Sequence, residues 1–226
     1  MTAQTVPFGG REVKAESAYS SNFRSLDDFW WEGTPDVSVA GGSLFVRTTL
    51  TRDDRHHFIS SVFCRRRFQG DVMVEFDVRS VHPQSQRNFN FFIHTSLVDG
   101  RDLFETRGER TGDYPEYHGM NNYLFTFLPG RVESEGDKAP EFARLRFRRN
   151  PGFRLMKEIY SGSVVNDRWY HFQYVVLDGL VACAVDRHPQ ETYGWCDSEP
   201  LREGYLGFRT FCSHMEYREL RVWNLK

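Results

Sequence analysis

The sequence lacks any long apolar segment. No stretch approaches the roughly 18 consecutive apolar residues that a transmembrane helix needs, and residues 1–13 contain no apolar core typical of a signal peptide. We therefore predict a protein without membrane association. Its expected location is cytoplasmic as the sequence is written, and periplasmic or secreted if a leader peptide has been removed.

An excess of charge of one sign is also missing. The chain has 29 basic residues against 31 acidic residues, a formal net charge of −2. Because no overall positive field would attract a polyanion, we expect no nucleic-acid partner. The four cysteines follow no CxxC or zinc-finger spacing, which favours free buried thiols in a reducing compartment.

Several sequence motifs that carry chemistry are absent. There is no glycine-rich phosphate loop and no GxSxG, which argues against nucleotide-dependent and serine-hydrolase chemistry. There is also no HExxH, HxxxH or EF-hand spacing, so we expect no catalytic metal and no cofactor. A structural calcium ion is left open.

Helical signals are weak, and apolar residues instead recur at every second position. Such alternation is typical of half-buried strands and is clearest in residues 72–79, 88–95, 204–211 and 216–224. Ten or more short strands separated by turn residues predict an all-β sandwich of two antiparallel sheets. The length of 226 residues fits one such domain, and we leave open whether residues 1–25 form an irregular N-terminal extension.

The sequence also predicts one tight turn and two long loops. Asp178-Gly179 stands between two alternating runs, which is the preferred chemistry of a two-residue type I′ hairpin. Two long irregular stretches, residues 98–121 and 128–140, interrupt the strand pattern. Since long loops within a domain commonly shape a binding site, the first is the expected location of function.

The first long loop is rich in groups that exchange protons. Tyr114, Glu116, Tyr117 and His118 fall within five positions. Ordering such a loop costs conformational entropy, and a ligand that contacts it would account for that cost. The alternative is a loop whose tyrosine and proline residues merely cover one end of the sandwich.

Several strings of this sequence resemble the YesU-like family. They are Asp102-Leu-Phe, Arg110-Thr-Gly-Asp-Tyr-Pro-Glu-Tyr-His118, Asn150-Pro-Gly-Phe153 and Gly207-Phe-Arg209, and the resemblance extends from about Phe29 onward. The resemblance implies a jelly roll of the concanavalin-like lectin and glucanase superfamily, with sugar bound on a concave sheet face. It also implies a role in the breakdown of acidic plant or algal polysaccharides such as rhamnogalacturonan or ulvan.

The favoured hypothesis is an enzyme that performs β-elimination on uronic-acid-containing oligosaccharides. Such a carbon–oxygen lyase, either a polysaccharide lyase or an oligosaccharide dehydratase, neutralises the sugar carboxylate, removes the adjacent proton and protonates the leaving oxygen. We assign His118 as the base and Tyr114 or Tyr117 as the proton donor. Glu116 would orient or tune the histidine.

Binding of the acidic oligosaccharide would use further polar and aromatic side chains. Arg110 and Arg209 are candidates to hold the carboxylate, because a guanidinium group matches it with two hydrogen bonds. Asn90 and His94 share one face of a predicted strand, and Trp195 could stack on a sugar ring. The predicted substrate-binding set is His57, Asn90, His94, Arg110, Asn122, Trp195 and Arg209.

Three alternatives stay open. The first is a non-catalytic, lectin-like carbohydrate-binding domain, and the second is a sandwich with a purely structural role. The third is a glycoside hydrolase using Glu75 and Asp77. Ser80 stands where a third acid would be needed, so we interpret this pair as a solvated strand face.

Arg144, Arg146 and Arg148 alternate on one strand and form either an anion-binding stripe or an exposed sheet face. The sequence does not fix the oligomeric state.

Overall fold

The protein, represented by a computed structural model, consists almost entirely of β-strands. The structure describes residues 4–49, 59–81, 88–128, 144–160, 165–188, 190 and 192–226. Within these residues the strands are β1 (Gln4–Phe8), β2 (Arg11–Ser21), β3 (Phe29–Gly33), β4 (Asp36–Ala40), β5 (Ser43–Arg47), β6 (Ile59–Gln69), β7 (Val72–Ser80), β8 (Phe89–Ser96), β9 (Asn121–Leu128), β10 (Arg144–Asn150), β11 (Arg154–Tyr160), β12 (Tyr170–Leu177), β13 (Leu180–Val185), β14 (Thr192–Cys196), β15 (Glu203–Phe211) and β16 (His214–Leu225). Two short 3-10 helices, Arg107–Glu109 and Tyr114–Gly119, lie between β8 and β9.

The strands form two antiparallel sheets. The nine-stranded sheet has the order β1-β2-β16-β7-β12-β13-β14, with β5 paired to β16 and β4 paired to β5. The seven-stranded sheet has the order β11-β10-β9-β8-β15-β6-β3. The predicted all-β jelly-roll sandwich is therefore confirmed.

The core lies between the two sheets and follows the period-two pattern of the sequence. Val74, Phe76 and Val78 of β7 are fully buried in the central apolar cluster, and Phe91 and Phe208 of the seven-stranded sheet contact Phe76 from the other side. Because neighbouring residues on a strand point to opposite faces, the alternate residues of the seven-stranded sheet point away from this core. We call the side that they form the outer face of that sheet.

The predicted hairpin is present. Strands β12 and β13 pair in antiparallel register up to Leu177 and Leu180, and only Asp178 and Gly179 connect them. Both connecting residues have positive φ, 48° and 81°, as a type I′ turn requires. Glycine makes the second of these conformations accessible without strain.

Residues 4–21 form two ordered strands rather than an irregular extension. Strand β1 pairs with β2, and β2 pairs with β16 at the centre of the nine-stranded sheet. Val6 and Phe8 of β1 are buried in a second apolar cluster with Met73 and Val175, whose side chains point away from the main core. The start of the chain therefore covers part of the outward side of the nine-stranded sheet.

Candidate functional site

The loop between β8 and β9 folds onto the outer face of the seven-stranded sheet. Three of its side chains, Leu103, Tyr117 and Met120, are buried there in a third apolar cluster. Burying a large apolar side chain contributes roughly 1.5–3 kcal/mol, so the loop is held as a folded layer. The sheet residues beneath it are Trp30, Phe63, Phe92, Leu124 and Tyr205.

A buried carboxylate fixes the loop to the edge strand β3. Glu32 is 3% exposed, and its Oε1 accepts hydrogen bonds from Arg110 Nε at 2.9 Å and Nη2 at 2.5 Å. Its Oε2 accepts a hydrogen bond from the Tyr117 hydroxyl at 2.7 Å. The charge of Arg110 balances that of Glu32, and each carboxylate oxygen of Glu32 accepts at least one hydrogen bond. This network therefore stabilises the loop without needing a ligand.

Glu116 has a structural role within the same loop. Its carboxylate accepts hydrogen bonds from the backbone N–H groups of Thr111 and Gly112, at 3.1 and 3.0 Å, and from the Thr111 hydroxyl at 2.9 Å. Gly112 has a φ of 89°, and a Cβ added there would lie 2.7 Å from the backbone nitrogen of Gly33. Only glycine permits this close approach between the loop and the end of β3.

Beside this covered region, a row of polar residues crosses the outer face of the sheet. Strand register aligns Arg209 of β15 with Asn90 of β8, Asn90 with Thr126 of β9, and Thr126 with Arg146 of β10. This row lines an open cavity of about 370 Å³, which is the size of a small-molecule site. The lining residues are Ile59, Asn88, Asn90, Asp113, Tyr114, Pro115, Thr126, Leu128, Arg146, Arg148, Phe153, Arg209 and Phe211.

Two arginines of this pocket are buried without an acidic partner. Arg209 is 3% exposed and Arg148 is 9% exposed, and no carboxylate among the described residues forms an ion pair with either. Their guanidinium groups instead stack on aromatic rings, Arg209 at 4.0 Å from the centre of Tyr114 and Arg148 at 4.1 Å from the centre of Phe153. Burial lowers the pKa of both arginines from its ordinary value. The neighbouring Arg146 differs, since it pairs with Glu158 at 2.5 Å.

His118 lies between the aromatic rings that carry these arginines. Its ring stacks on Phe153 at a centroid distance of 3.7 Å and meets the edge of Tyr114 at 4.6 Å. Burial, followed by the positive charges of Arg209 and Arg148, lowers the pKa of His118 to about 4. The imidazole is therefore neutral around pH 7.

The pocket and its margin contain several buried polar atoms that lack a hydrogen-bond partner in the described part of the chain. They are Asn90 Oδ1, Thr126 Oγ1, His118 Nε2, Arg148 Nε and Arg209 Nε. Buried polar groups in native proteins are nearly always paired, so such a concentration in one cavity indicates a place that a polar ligand or ordered water occupies.

Four of the residues predicted from the sequence meet at this pocket. Asn90, Tyr114 and Arg209 line it, and His118 contacts Tyr114 at its margin. His57 lies outside the described residues.

The other predicted residues lie elsewhere, for reasons that the structure makes plain. Tyr117 is fully buried, and burial together with the charge of Glu32 raises the pKa of its hydroxyl well above the usual value, so this group is not placed to donate a proton to a ligand. Arg110 already holds the Glu32 carboxylate, and Glu116 caps backbone N–H groups instead of orienting His118.

Asn122 has no access to a ligand. It is fully buried, its Nδ2 donates a hydrogen bond to the Tyr117 carbonyl at 3.0 Å, and its Oδ1 accepts one from Asn150 at 2.8 Å. Trp195 packs edge-on against Tyr123 and Phe147 at the margin of the main core. Both side chains therefore support the fold rather than the pocket.

His94 does not share the pocket with Asn90 as the strand pattern predicted. The register of β8 shifts between Ile93 and Ser96, and His94 itself has a φ of 56°, so the regular alternation of side chains ends before this residue. Its ring is fully buried near Gly70 and Asp71, and burial lowers its pKa to about 4. We correct its predicted role accordingly.

The sequence-based site set omitted Arg148, Phe153 and Thr126. Arg148 belongs to the alternating arginine stripe, and Phe153 belongs to one of the strings that resemble the YesU-like family, so both carried a usable signal. Thr126 gave no signal of its own, because only strand register brings it between Asn90 and Arg146.

Glu75 and Asp77 lie on the other sheet, away from the pocket, and Glu75 is not solvated as predicted. Glu75 is 5% exposed, and although burial opposes it, the contact with His171 Nε2 at 3.4 Å and a hydrogen bond from Gln173 Nε2 at 3.1 Å bring its pKa to about 2. Asp77 accepts hydrogen bonds from His171 Nδ1 at 2.7 Å and Arg218 Nε at 2.9 Å, which lower its pKa against the effect of burial. Glycoside hydrolysis needs one protonated carboxyl group, and this pair does not supply one.

Two further features concern the described residues as a whole. None of their histidine, cysteine and acidic side chains form a group of three or more able to hold a metal ion. No helix in the same part of the chain is long and apolar enough to cross a membrane.

Comparison with protein families identifies the domain. Residues 59–220 match the family described as a domain of unknown function, DUF6250. The chain belongs to this family. The DUF6250 segment begins at β6 and ends within β16, so it contains every pocket-lining residue named above as well as His118.

Solved structures similar to this DUF6250 protein share its fold. A Bacillus subtilis protein of unknown function with a galectin-like fold matches with a TM-score of 0.76 and 21% identity over 99% of both chains. The carbohydrate-binding module CBM66 from Bacillus subtilis matches with a TM-score of 0.56 and 12% identity over 87% of this chain and 96% of that one. A lectin from Bauhinia forficata in complex with GalNAc matches with a TM-score of 0.58 and 11% identity over 98% of both chains.

None of the curated proteins searched matches this chain. The lectin-like fold implied by the sequence resemblance is confirmed by the solved structures. The narrower resemblance to the YesU-like family stays a prediction.

Proposed function

We propose that this DUF6250 protein binds an acidic carbohydrate in the pocket on the outer face of the seven-stranded sheet. The observation that carries the proposal is the pair of buried arginines, Arg148 and Arg209, that have no acidic partner among the described residues. A carboxylate or sulfate group of the sugar would supply the missing negative charge. Fold neighbours include a carbohydrate-binding module and a lectin bound to GalNAc, which supports a sugar as the carrier of that charge.

The chemistry of the pocket suits such a ligand. Stacking on Tyr114 and Phe153 fixes the planes of the two guanidinium groups, so that their N–H edges are oriented before the ligand arrives. A guanidinium edge donates two parallel hydrogen bonds to a carboxylate. The apolar lining, which includes Ile59, Leu128 and Phe211, can cover the C–H face of a sugar ring.

The proposal is tested by isothermal titration with uronate-containing oligosaccharides and the same oligosaccharides after reduction of their carboxyl groups. We expect the acidic form to bind and the reduced form to bind at least tenfold more weakly, because a charge-assisted hydrogen bond contributes about 1.5–3 kcal/mol. Arg209→Gln and Arg148→Gln should each remove most of this preference. Arg11→Gln, which changes an exposed arginine on the nine-stranded sheet, is the matched control and should bind like the wild type.

Equal binding of the acidic and reduced oligosaccharides would contradict the proposal, as would wild-type affinity in both pocket variants. Folding of each variant is checked by circular dichroism, so that loss of binding is not confused with loss of structure.

A second candidate function is β-elimination at the same pocket, and the contact between His118 and Tyr114 favours it. Beside the arginines that would neutralise a uronate carboxylate, the protein has a neutral imidazole able to accept a proton and a phenol able to donate one. In the reaction, His118 takes the proton on the carbon next to the carboxylate, the electron pair of that C–H bond forms the double bond, and the departing oxygen receives a proton from Tyr114.

Elimination is tested by following the ultraviolet absorbance of the unsaturated uronate product. An increase that disappears in His118→Ala and falls strongly in Tyr114→Phe would establish the reaction. Binding of the oligosaccharide without any absorbance change would leave a lectin-like binding domain, and new reducing ends without unsaturation would indicate hydrolysis instead.

A further inference from the structure

His118 is a histidine at the margin of the pocket that both unpaired arginines influence. Its Nε2 atom is buried and has no hydrogen-bond partner among the described residues. The ring is held in place by stacking on Phe153, and the backbone carbonyl of His118 accepts a hydrogen bond from Gly152 N at 2.8 Å. The imidazole therefore stays beside the arginines whether or not a ligand is present.

The positive charge around this ring decreases when an anion binds. In the free pocket, Arg148 of β10 and Arg209 of β15 place two positive charges near the imidazole and disfavour its protonation. An anion held between these arginines offsets part of their charge and presents negative charge to the same ring. Protonation of the imidazole is then less unfavourable than in the free pocket.

We propose that binding of an anionic sugar group between Arg148 and Arg209 is coupled to the uptake of a proton by His118. This inference rests on the proposed acidic-carbohydrate function. It makes His118 a third positive contact for the ligand, present only in the complex, so that the protein binds its ligand more tightly as the pH falls.

Among the described residues, the charged side chains that line the pocket beside the ring are Asp113 from its own segment and Arg146, Arg148 and Arg209 from the strands. The neutral titratable group is Tyr114, which contacts the ring. Arg146 is paired with Glu158 and changes little on binding. Asp113 interacts electrostatically with Arg209 and is present in both the free and the bound state.

The direction of the pH dependence follows from linkage. In the free protein the pKa of His118 is about 4, and in the complex it is higher. Affinity is therefore independent of pH above the bound-state pKa and increases as the pH falls from that value towards 4. Uptake of one proton makes the affinity rise by up to about tenfold for each pH unit in this window.

The experiment uses a sulfated galactan oligosaccharide as the probe, because a sulfate ester keeps its charge throughout the window. Isothermal titration at pH 5 in two buffers with different ionisation enthalpies counts the protons taken up on binding. We expect fractional proton uptake for the wild type and none for His118→Gln. His214→Gln removes another half-buried histidine whose pKa burial also lowers, but which lies on the nine-stranded sheet, and it should keep the wild-type uptake.

A second measurement uses the unaltered protein, so it does not depend on the folding of a variant. The NMR titration of the His118 ring should move to higher pH when the probe is bound, while that of His214 should not move. Binding of the probe without proton uptake, or with an unchanged His118 titration, overturns the coupling and leaves the binding function standing. No binding of either the sulfated or a uronate oligosaccharide at any pH overturns both.

Discussion

Replacing Arg209 with methionine should stabilise the protein while abolishing recognition of acidic sugars. Arg209 is 3% exposed and its guanidinium group has no acidic partner in the described part of the chain. A buried charge without a partner costs several kcal/mol, because the loss of hydration is not offset by an ion pair. Methionine has a similar length, carries no charge and can keep the contact with the Tyr114 ring.

The size of the effect follows from two opposing contributions. Stacking on Tyr114 at 4.0 Å offsets about 0.5–2 kcal/mol of the desolvation cost. The open cavity also lets water reach the edge of the guanidinium group, which reduces this cost further. We therefore expect Arg209→Met to increase the free energy of unfolding by about 1–3 kcal/mol. For a domain of this length, that corresponds to a rise in Tm of about 2–12 °C.

Urea denaturation gives the free energy of unfolding, and titration with a uronate oligosaccharide gives the affinity. Arg209→Lys is the matched control, since it keeps the charge and should not show the gain in stability. An Arg209→Met variant that is less stable than the wild type and still prefers acidic sugars would refute the reasoning.

Three further predictions concern the supports of the site and the opposite sheet. Glu32→Gln leaves the charge of Arg110 unmatched, and it should lower the free energy of unfolding by about 3–5 kcal/mol and increase hydrogen exchange in the loop of residues 97–120. Tyr117→Phe should cost about 1–3 kcal/mol in urea denaturation but leave sugar affinity within twofold, whereas a large loss of affinity would contradict the structural role of this hydroxyl. Burial lowers the pKa of His171, but the contacts with Asp77 and Glu75 outweigh this effect and raise the pKa overall. The protonated His171 therefore stabilises the fold fully below about pH 6.5, and this stabilisation is lost as the pH rises through the folded-state pKa. Urea midpoints measured across this range should therefore fall towards alkaline pH in the wild type and fall less in His171→Gln.

The fold was predictable because period-two alternation is a local property of the sequence. The runs at residues 72–79, 204–211 and 216–224 correspond to β7, β15 and β16 with boundaries displaced by at most two residues. The hairpin at Asp178-Gly179 was predictable for a similar reason, since the turn chemistry and its flanking strands are adjacent in sequence. The ordered N-terminal strands were not, because β1 is stabilised by apolar contacts with residues far along the chain.

Within the strands, the site was predictable where periodicity determines which way a side chain points. Asn90 and Arg209 reach the pocket as regular members of β8 and β15. The same rule failed at His94, because a bulge with positive φ breaks the alternation there. No periodic rule applies within the loop, so the sequence could not separate Tyr114, which lines the pocket, from Tyr117, which is buried beneath it.

The arginine stripe shows what sequence alone leaves undecided. Arg144, Arg146 and Arg148 alternate identically along β10. Glu158 on the neighbouring strand lies 3.2 and 2.5 Å from the first two and forms no ion pair with Arg148. Which arginine is left to bind a ligand depends on the register between β10 and β11 and on the position of Phe153, neither of which is encoded locally.

The central claim is that Arg148 and Arg209 hold the anionic group of a sugar, and a crystal structure of the protein with a uronate-containing oligosaccharide tests it most directly. We predict a carboxylate oxygen of the ligand at about 2.7–2.9 Å from a nitrogen of Arg209 or Arg148, with the sugar ring in the cavity beside Tyr114. An oligosaccharide bound on another surface, or bound in this cavity with its carboxylate turned towards solvent and away from both arginines, would contradict the account.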